Sequence, residues 1–123
     1  MLDDVCFTAV WQLVRSVPFG RVVTYGQLAQ TVTIARLTPR QVGGIMRQAP
    51  SDVPWHRVVG AGGRLPIARR SPELRAEQRA LLLAEGVPFS RDGEVVAMAS
   101  AQWPLDEDGQ EQELWRRERR DDT

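Results

Sequence analysis

The sequence carries one helix-start device twice. Thr24-Tyr25-Gly26-Gln27 and Thr38-Pro39-Arg40-Gln41 both read Thr-x-x-Gln. In that pattern the Thr hydroxyl and the Gln amide satisfy each other's backbone N–H groups at a helix N-terminus. Pro39 fits the first helical position, where no N–H is needed. Two short helices are therefore expected, one from Tyr25 and one from Pro39, the second ending before Pro50. Two capped helices with a tight connection over 24–49 make a helix-turn-helix. At about 100° per residue, Val42, Ile45, Met46 and Ala49 share one face of the second helix. Arg40, Gly43, Gly44 and Arg47 share the opposite one. Each mid-helix glycine costs about 1 kcal/mol relative to alanine, so something should compensate. One reading is that a polyanion backbone comes close to a side-chain-free patch flanked by arginines. The other is close helix–helix packing through the glycines, with the arginines solvated.

The remaining pattern is mostly helical. Phe7, Val10, Trp11 and Val14 recur at helical spacing over 4–15, with Asp3 or Asp4 as cap. Val17–Arg21 breaks that helix, and 57–65 is extended and glycine-rich. Ser71-Pro72-Glu73 starts another helix, expected to turn Leu74, Ala80, Leu81 and Ala84 inward and to stop at Gly86. Residues 87–98 read as a small hairpin about Asp92-Gly93. The fold class expected is a mainly α, winged-helix-like DNA-binding domain over 1–103. Residues 104–123 form a charged tail, expected to be mostly disordered, with 111–120 the one stretch that could be helical.

A chain of 123 residues supplies one core. No apolar run approaches the roughly 20 residues of a membrane span. Cys6 is the sole cysteine, which excludes an internal disulfide and a Cys-based zinc site. No metal or cofactor is expected. The acidic start lacks the basic region of a secretory leader, so a cytoplasmic location is expected, nucleoid-associated in a bacterium. The net charge of zero conceals an asymmetry. Residues 15–70 hold nine arginines against one acid, Asp52, a net of +8. Residues 101–123 hold four arginines against eight acids, a net of −4. A basic middle points to a polyanion partner. All sixteen basic residues are arginine, the side chain better suited to phosphate and base edges.

Val53-Pro54-Trp55-His56-Arg57 sets the only histidine beside an indole. The spacing looks like a reaction site, but an indole N–H donates a hydrogen bond and has no thiolate form. A lone His is otherwise more often a satisfied core residue.

Four blocks in order, "VWQLVRSVPFGRVVTYGQLA", "RQVGGIMR", "PWHRVVGAGGRL" and "LLLAEGV", resemble the C-terminal domain of the O6-alkylguanine-DNA alkyltransferases, from about Phe7 to Phe89. The catalytic members have Pro-Cys-His-Arg-Val, whose cysteine accepts the alkyl group. Trp55 in that slot resembles the alkyltransferase-like proteins, which bind alkylated guanine without repairing it. The resemblance implies that Tyr25 turns the phosphate beside the target nucleotide and that Arg40 enters the duplex to replace the flipped base. It implies that Gly43, Gly44 and Arg47 face the minor groove. Met46 and Trp55 would line the lesion pocket with Arg57, and Val58 would offer the base a backbone contact. His56 and Glu85 match the hydrogen-bonded pair that activates the catalytic thiol, here with no thiol to activate. Arg69 is the candidate to stack on the modified base, with Arg70 or Arg64 as alternatives. Ala49 replaces an asparagine of catalytic members, and "PIARRS" replaces their tyrosine–serine pair.

The expected function is a monomeric, non-enzymatic sensor of O6-alkylguanine in double-stranded DNA. It would flip the nucleotide and signal to nucleotide excision repair proteins. Alternatives are a transferase or hydrolase using another nucleophile, such as water at His56 and Glu85, or a sequence-specific regulator.

Overall fold

The computed structural model describes residues 4–65 and 71–105. Five helices, α1 (Asp4–Arg15), α2 (Tyr25–Thr31), α3 (Pro39–Arg47), α4 (Pro72–Ala84) and α5 (Met98–Ala101), surround two short strands, β1 (Val23–Thr24) and β2 (Val58–Val59). The chain is mainly helical, and α2 and α3 form the expected helix-turn-helix. The expected tail lies outside the described residues beyond Leu105.

Both Thr-x-x-Gln signatures cap as read. Gln27 N–H donates to Thr24 Oγ1 at 3.0 Å and Thr24 N–H to Gln27 Oε1 at 2.8 Å. The Thr38–Gln41 pair repeats this at 3.1 and 2.9 Å. Each cap is worth about 1 kcal/mol. They fix the starts of helices of only 7 and 9 residues, which would be marginal alone. Tertiary burial supplies the rest. Val42, Ile45 and Met46 of α3 join Leu28 of α2 and Val10, Leu13 and Val14 of α1 in one apolar cluster. The Trp11 indole N–H donates to Ile45 O at 3.2 Å, tying α1 to the C-terminal half of α3.

The strands link this cluster to a second one. They pair in parallel, Val23 opposite Val58 and Thr24 opposite Val59. Strand residues alternate between faces, so Val23 and Val58 enter the helical cluster while Val22 and Val59 enter a smaller cluster with Leu65, Leu82, Val87 and Val96. The sequence reading did not anticipate this sheet. The turn at Asp92-Gly93 does reverse the chain, held by one antiparallel bridge, Phe89 to Val96. Val96 N–H pairs with Gly63 O at 2.9 Å instead of lengthening a ladder.

Two features differ from expectation. Helix α4 does not turn its leucines and alanines inward: Leu74, Ala80, Leu81 and Ala84 are exposed. The buried residues are Gln78 and Leu82. The neighbouring 55–58 turn presents carbonyls and cations, which need a donor and an acceptor rather than hydrocarbon. The second feature is that packing continues past residue 103. Gln27 Nε2 donates to Trp103 O at 2.8 Å, Thr31 Oγ1 to Leu105 O, and Leu105 is buried in the helical cluster. Arg21 caps α5, donating to the carbonyls of Ala101 and Gln102 at 3.1 and 2.8 Å beneath the Trp103 ring.

Gly63 has φ of 87°, and a Cβ there would meet Val96 O and N and Met98 Cγ. Gly63→Ala is expected to destabilise the fold by more than about 1 kcal/mol, read as a lower urea midpoint with unchanged slope.

Candidate nucleic-acid interface

Helix α3 sorts its residues as the periodicity requires. Val42, Ile45 and Met46 are buried, Ala49 beyond the helix end is half-buried, and Arg40 and Arg47 are exposed. No other element fills the space in which side chains on the two glycines would stand. A Cβ on Gly43 would meet nothing within 4 Å, and one on Gly44 only the Arg47 guanidinium at 4.0 Å. Close packing between helices does not explain them. The patch they leave is open to solvent.

The arginines divide into two sets. Arg15 pairs with Asp52, Arg57 with Glu85 and Arg75 with Glu94. Arg21 and Arg79 are bonded to backbone carbonyls. Arg36, Arg40, Arg47, Arg64 and Arg91 make no hydrogen bond or ion pair with any described residue. Three of these five lie on α3 or just before it. Positive charge is neutralised over much of the described surface and left uncompensated at α3, the distribution that attracts a polyanion.

Trp55–Arg57 form a single 3-10 turn. Glu85, just past the end of α4, organises it. Its Oε2 lies 2.6 Å from His56 Nε2. Arg57 grips both carboxylate oxygens, through Nε at 3.0 and 3.2 Å and Nη2 at 2.9 Å. Gly20 N–H donates to Oε1 at 2.9 Å. Arg57 Nη1 reaches Val17 O at 3.0 Å, and its guanidinium lies 5.7 Å from the Phe19 ring. Glu85 therefore joins the 17–20 loop, the 55–57 turn and α4. Its side chain is 8% exposed. Burial pushes the carboxyl pKa up, but the Arg57, Gly20 and His56 contacts outweigh it. The value falls from 4.5 to about 2.

The structure brings several expected residues together. Met46 is buried in the helical cluster, and Tyr25 and Trp55 are half-buried against it. The Trp55 and His56 rings meet edge-on, with centroids 6.3 Å apart. Val58 is fully buried, and its N–H donates to Trp55 O. Arg64 is exposed, while Arg69 and Arg70 lie outside the described residues. Cys6 is buried on α1. Two partnerships were not anticipated: Arg57 as the bidentate partner of Glu85, and Gln78, which donates to His56 O and Val58 O at 3.1 and 2.9 Å. The available signal was the seven-residue spacing of Gln78 and Glu85, which sets two polar side chains on one face of α4. Among the described residues no cluster of His, Cys, Asp and Glu could hold a metal, and no helix is long and apolar enough to cross a membrane.

A family model described as the 6-O-methylguanine DNA methyltransferase DNA-binding domain matches residues 6–87. The chain belongs to this family, and within it the chain is alkyltransferase-like. It is 43% identical over 88 residues to a DNA base-flipping protein of Escherichia coli, covering 70% of this chain and 65% of that one. The fold matches Atl1 of Schizosaccharomyces pombe, solved with damaged DNA containing O6-carboxymethylguanine. The TM-score is 0.70 at 31% identity, over 84% of this chain and 98% of that one. The O6-methylguanine methyltransferase of Mycobacterium tuberculosis matches with a TM-score of 0.56 at 31% identity, over 69% of this chain and 50% of that one.

Two outcomes are expected. Gly43→Ala should raise stability by up to about 1 kcal/mol, because the methyl group meets open space, while weakening binding to duplex DNA. Unfolding and titration of the same preparation read both. The Glu85 carboxyl, with its folded pKa below its unfolded one, contributes stability that is full above about pH 4.5 and lost as pH falls towards 2. Glu85→Gln should lower stability at pH 7 by about 3 kcal/mol and flatten that acid limb in a pH series of thermal melts.

Proposed function

We propose that the protein is a non-enzymatic DNA-damage sensor that binds O6-alkylguanine in duplex DNA and flips it from the stack. It then presents the lesion to nucleotide excision repair. The observation that carries this reading is Trp55, standing where the catalytic members place their acceptor thiol. An indole cannot take an alkyl group as a thiolate does. Cys6 is buried on α1, and Glu85 holds His56 Nε2 next to an indole where the catalytic members have a thiol. The His56–Glu85 pair stands without a thiol beside it.

The DNA-facing half of the reading rests on α3. Its open Gly43–Gly44 patch lets a sugar–phosphate backbone approach, with Arg40 and Arg47 at the sides. Flipping costs a few kcal/mol of stacking and pairing. An O6-alkyl group weakens pairing and lowers that cost, and Arg40 refills the vacated space. Minor-groove readout is degenerate, which suits a sensor that must work in any sequence context. The name of the Escherichia coli relative and the DNA-bound Schizosaccharomyces pombe structure support the reading.

Titration at fixed salt against matched duplexes, one holding O6-methylguanine and one guanine, tests it. Preference for the lesion of roughly tenfold or more is expected. Arg40→Ala should reduce that preference. Arg36→Ala should weaken both complexes alike and lower the salt slope by about 0.9 if it meets one phosphate. Equal wild-type affinity for the two duplexes would refute the sensor reading.

A further inference from the structure

Gln78 sits mid-helix on α4 and is 2% exposed. Its amide nitrogen donates to His56 O at 3.1 Å and Val58 O at 2.9 Å, which uses both amide protons. The acceptors flank Arg57. The turn between them is closed by Val58 N–H on Trp55 O. Glu85 complements Gln78 seven residues further along α4 by holding the side chains of His56 and Arg57. One helix face thus grips the turn twice, by a donor on its carbonyls and by an acceptor on its cationic side chains.

We propose that Gln78 is a positioning residue for lesion recognition: by fixing the carbonyls of His56 and Val58 it sets the orientation of the turn that carries Trp55. The inference rests on the sensor reading above. A buried carbonyl without its donor is costly to leave in place, so loss of the amide reorients the turn. The recognition helix has its own holds on α1 and α2 and its own capping box, besides the apolar cluster it shares with Trp55 and Val58. Removing Gln78 therefore separates lesion discrimination from general DNA affinity, which a purely structural role does not do.

Gln78→Met keeps the side-chain length without a donor, and Gln78→Glu replaces the donor with an acceptor facing two carbonyls. Each variant and the wild type are titrated with the O6-methylguanine and guanine duplexes, at a temperature where melts show all three folded. Lesion-to-guanine preference is expected to fall roughly tenfold, the scale of one misplaced buried hydrogen bond. Affinity for the guanine duplex should stay within about twofold, since phosphate contacts dominate it. Unchanged preference in both folded variants, or equal loss on both duplexes, overturns the positioning role. Wild-type protein that does not discriminate overturns the sensor reading and this inference together. Wild-type discrimination that survives both substitutions overturns only this inference.

Discussion

The Glu85 carboxylate is the contact on which the site depends. It is nearly buried, and burial alone would raise its pKa. It stays charged because Arg57, Gly20 N–H and His56 converge on it. An acceptor in that position lets one 3-10 turn, one loop and one helix end meet without an unpaired buried charge. Once Glu85 is satisfied, His56 and Arg57 have fixed directions, and Trp55 is held beside them against the helical cluster. The same carboxylate accounts for the polar end of the inner face of α4, which otherwise buries Gln78 and Leu82.

A division of labour among the arginines follows. Those that build the fold are matched to carboxylates or carbonyls, as Arg57 is to Glu85 and Arg21 to the end of α5. Those on or near α3 are matched to nothing described. The cost of two mid-helix glycines is not recovered inside the molecule, because no neighbouring element occupies the space beside them. On the proposed function, a closely approaching phosphate backbone would supply both the steric and the electrostatic complement from outside.

Much of this was legible in the sequence where local chemistry decides. The two Thr-x-x-Gln boxes fixed the starts of α2 and α3, and helical periodicity separated the buried from the open face of α3. Legibility failed where a buried polar group mattered more than hydrocarbon. Leu74, Ala80, Leu81 and Ala84 form a plausible apolar stripe, yet the inner face runs through Gln78, Leu82 and Glu85 because the facing turn presents polar groups. The pairing of Val23 with Val58 and the docking of Trp103 and Leu105 on α2 were hidden for another reason. Both join residues far apart in the chain, and two-residue strands leave no alternating pattern to read.

A sensor of the proposed kind must recognise the lesion without reacting with it. The direct measurement is the intact mass of the protein after incubation with excess O6-methylguanine duplex, with the DNA base composition followed in parallel. Unchanged protein mass and intact O6-methylguanine, under conditions where the complex forms, are predicted. A protein heavier by one methyl group would contradict the account by revealing transfer. Loss of the methyl group from DNA without protein gain would contradict it by revealing hydrolysis.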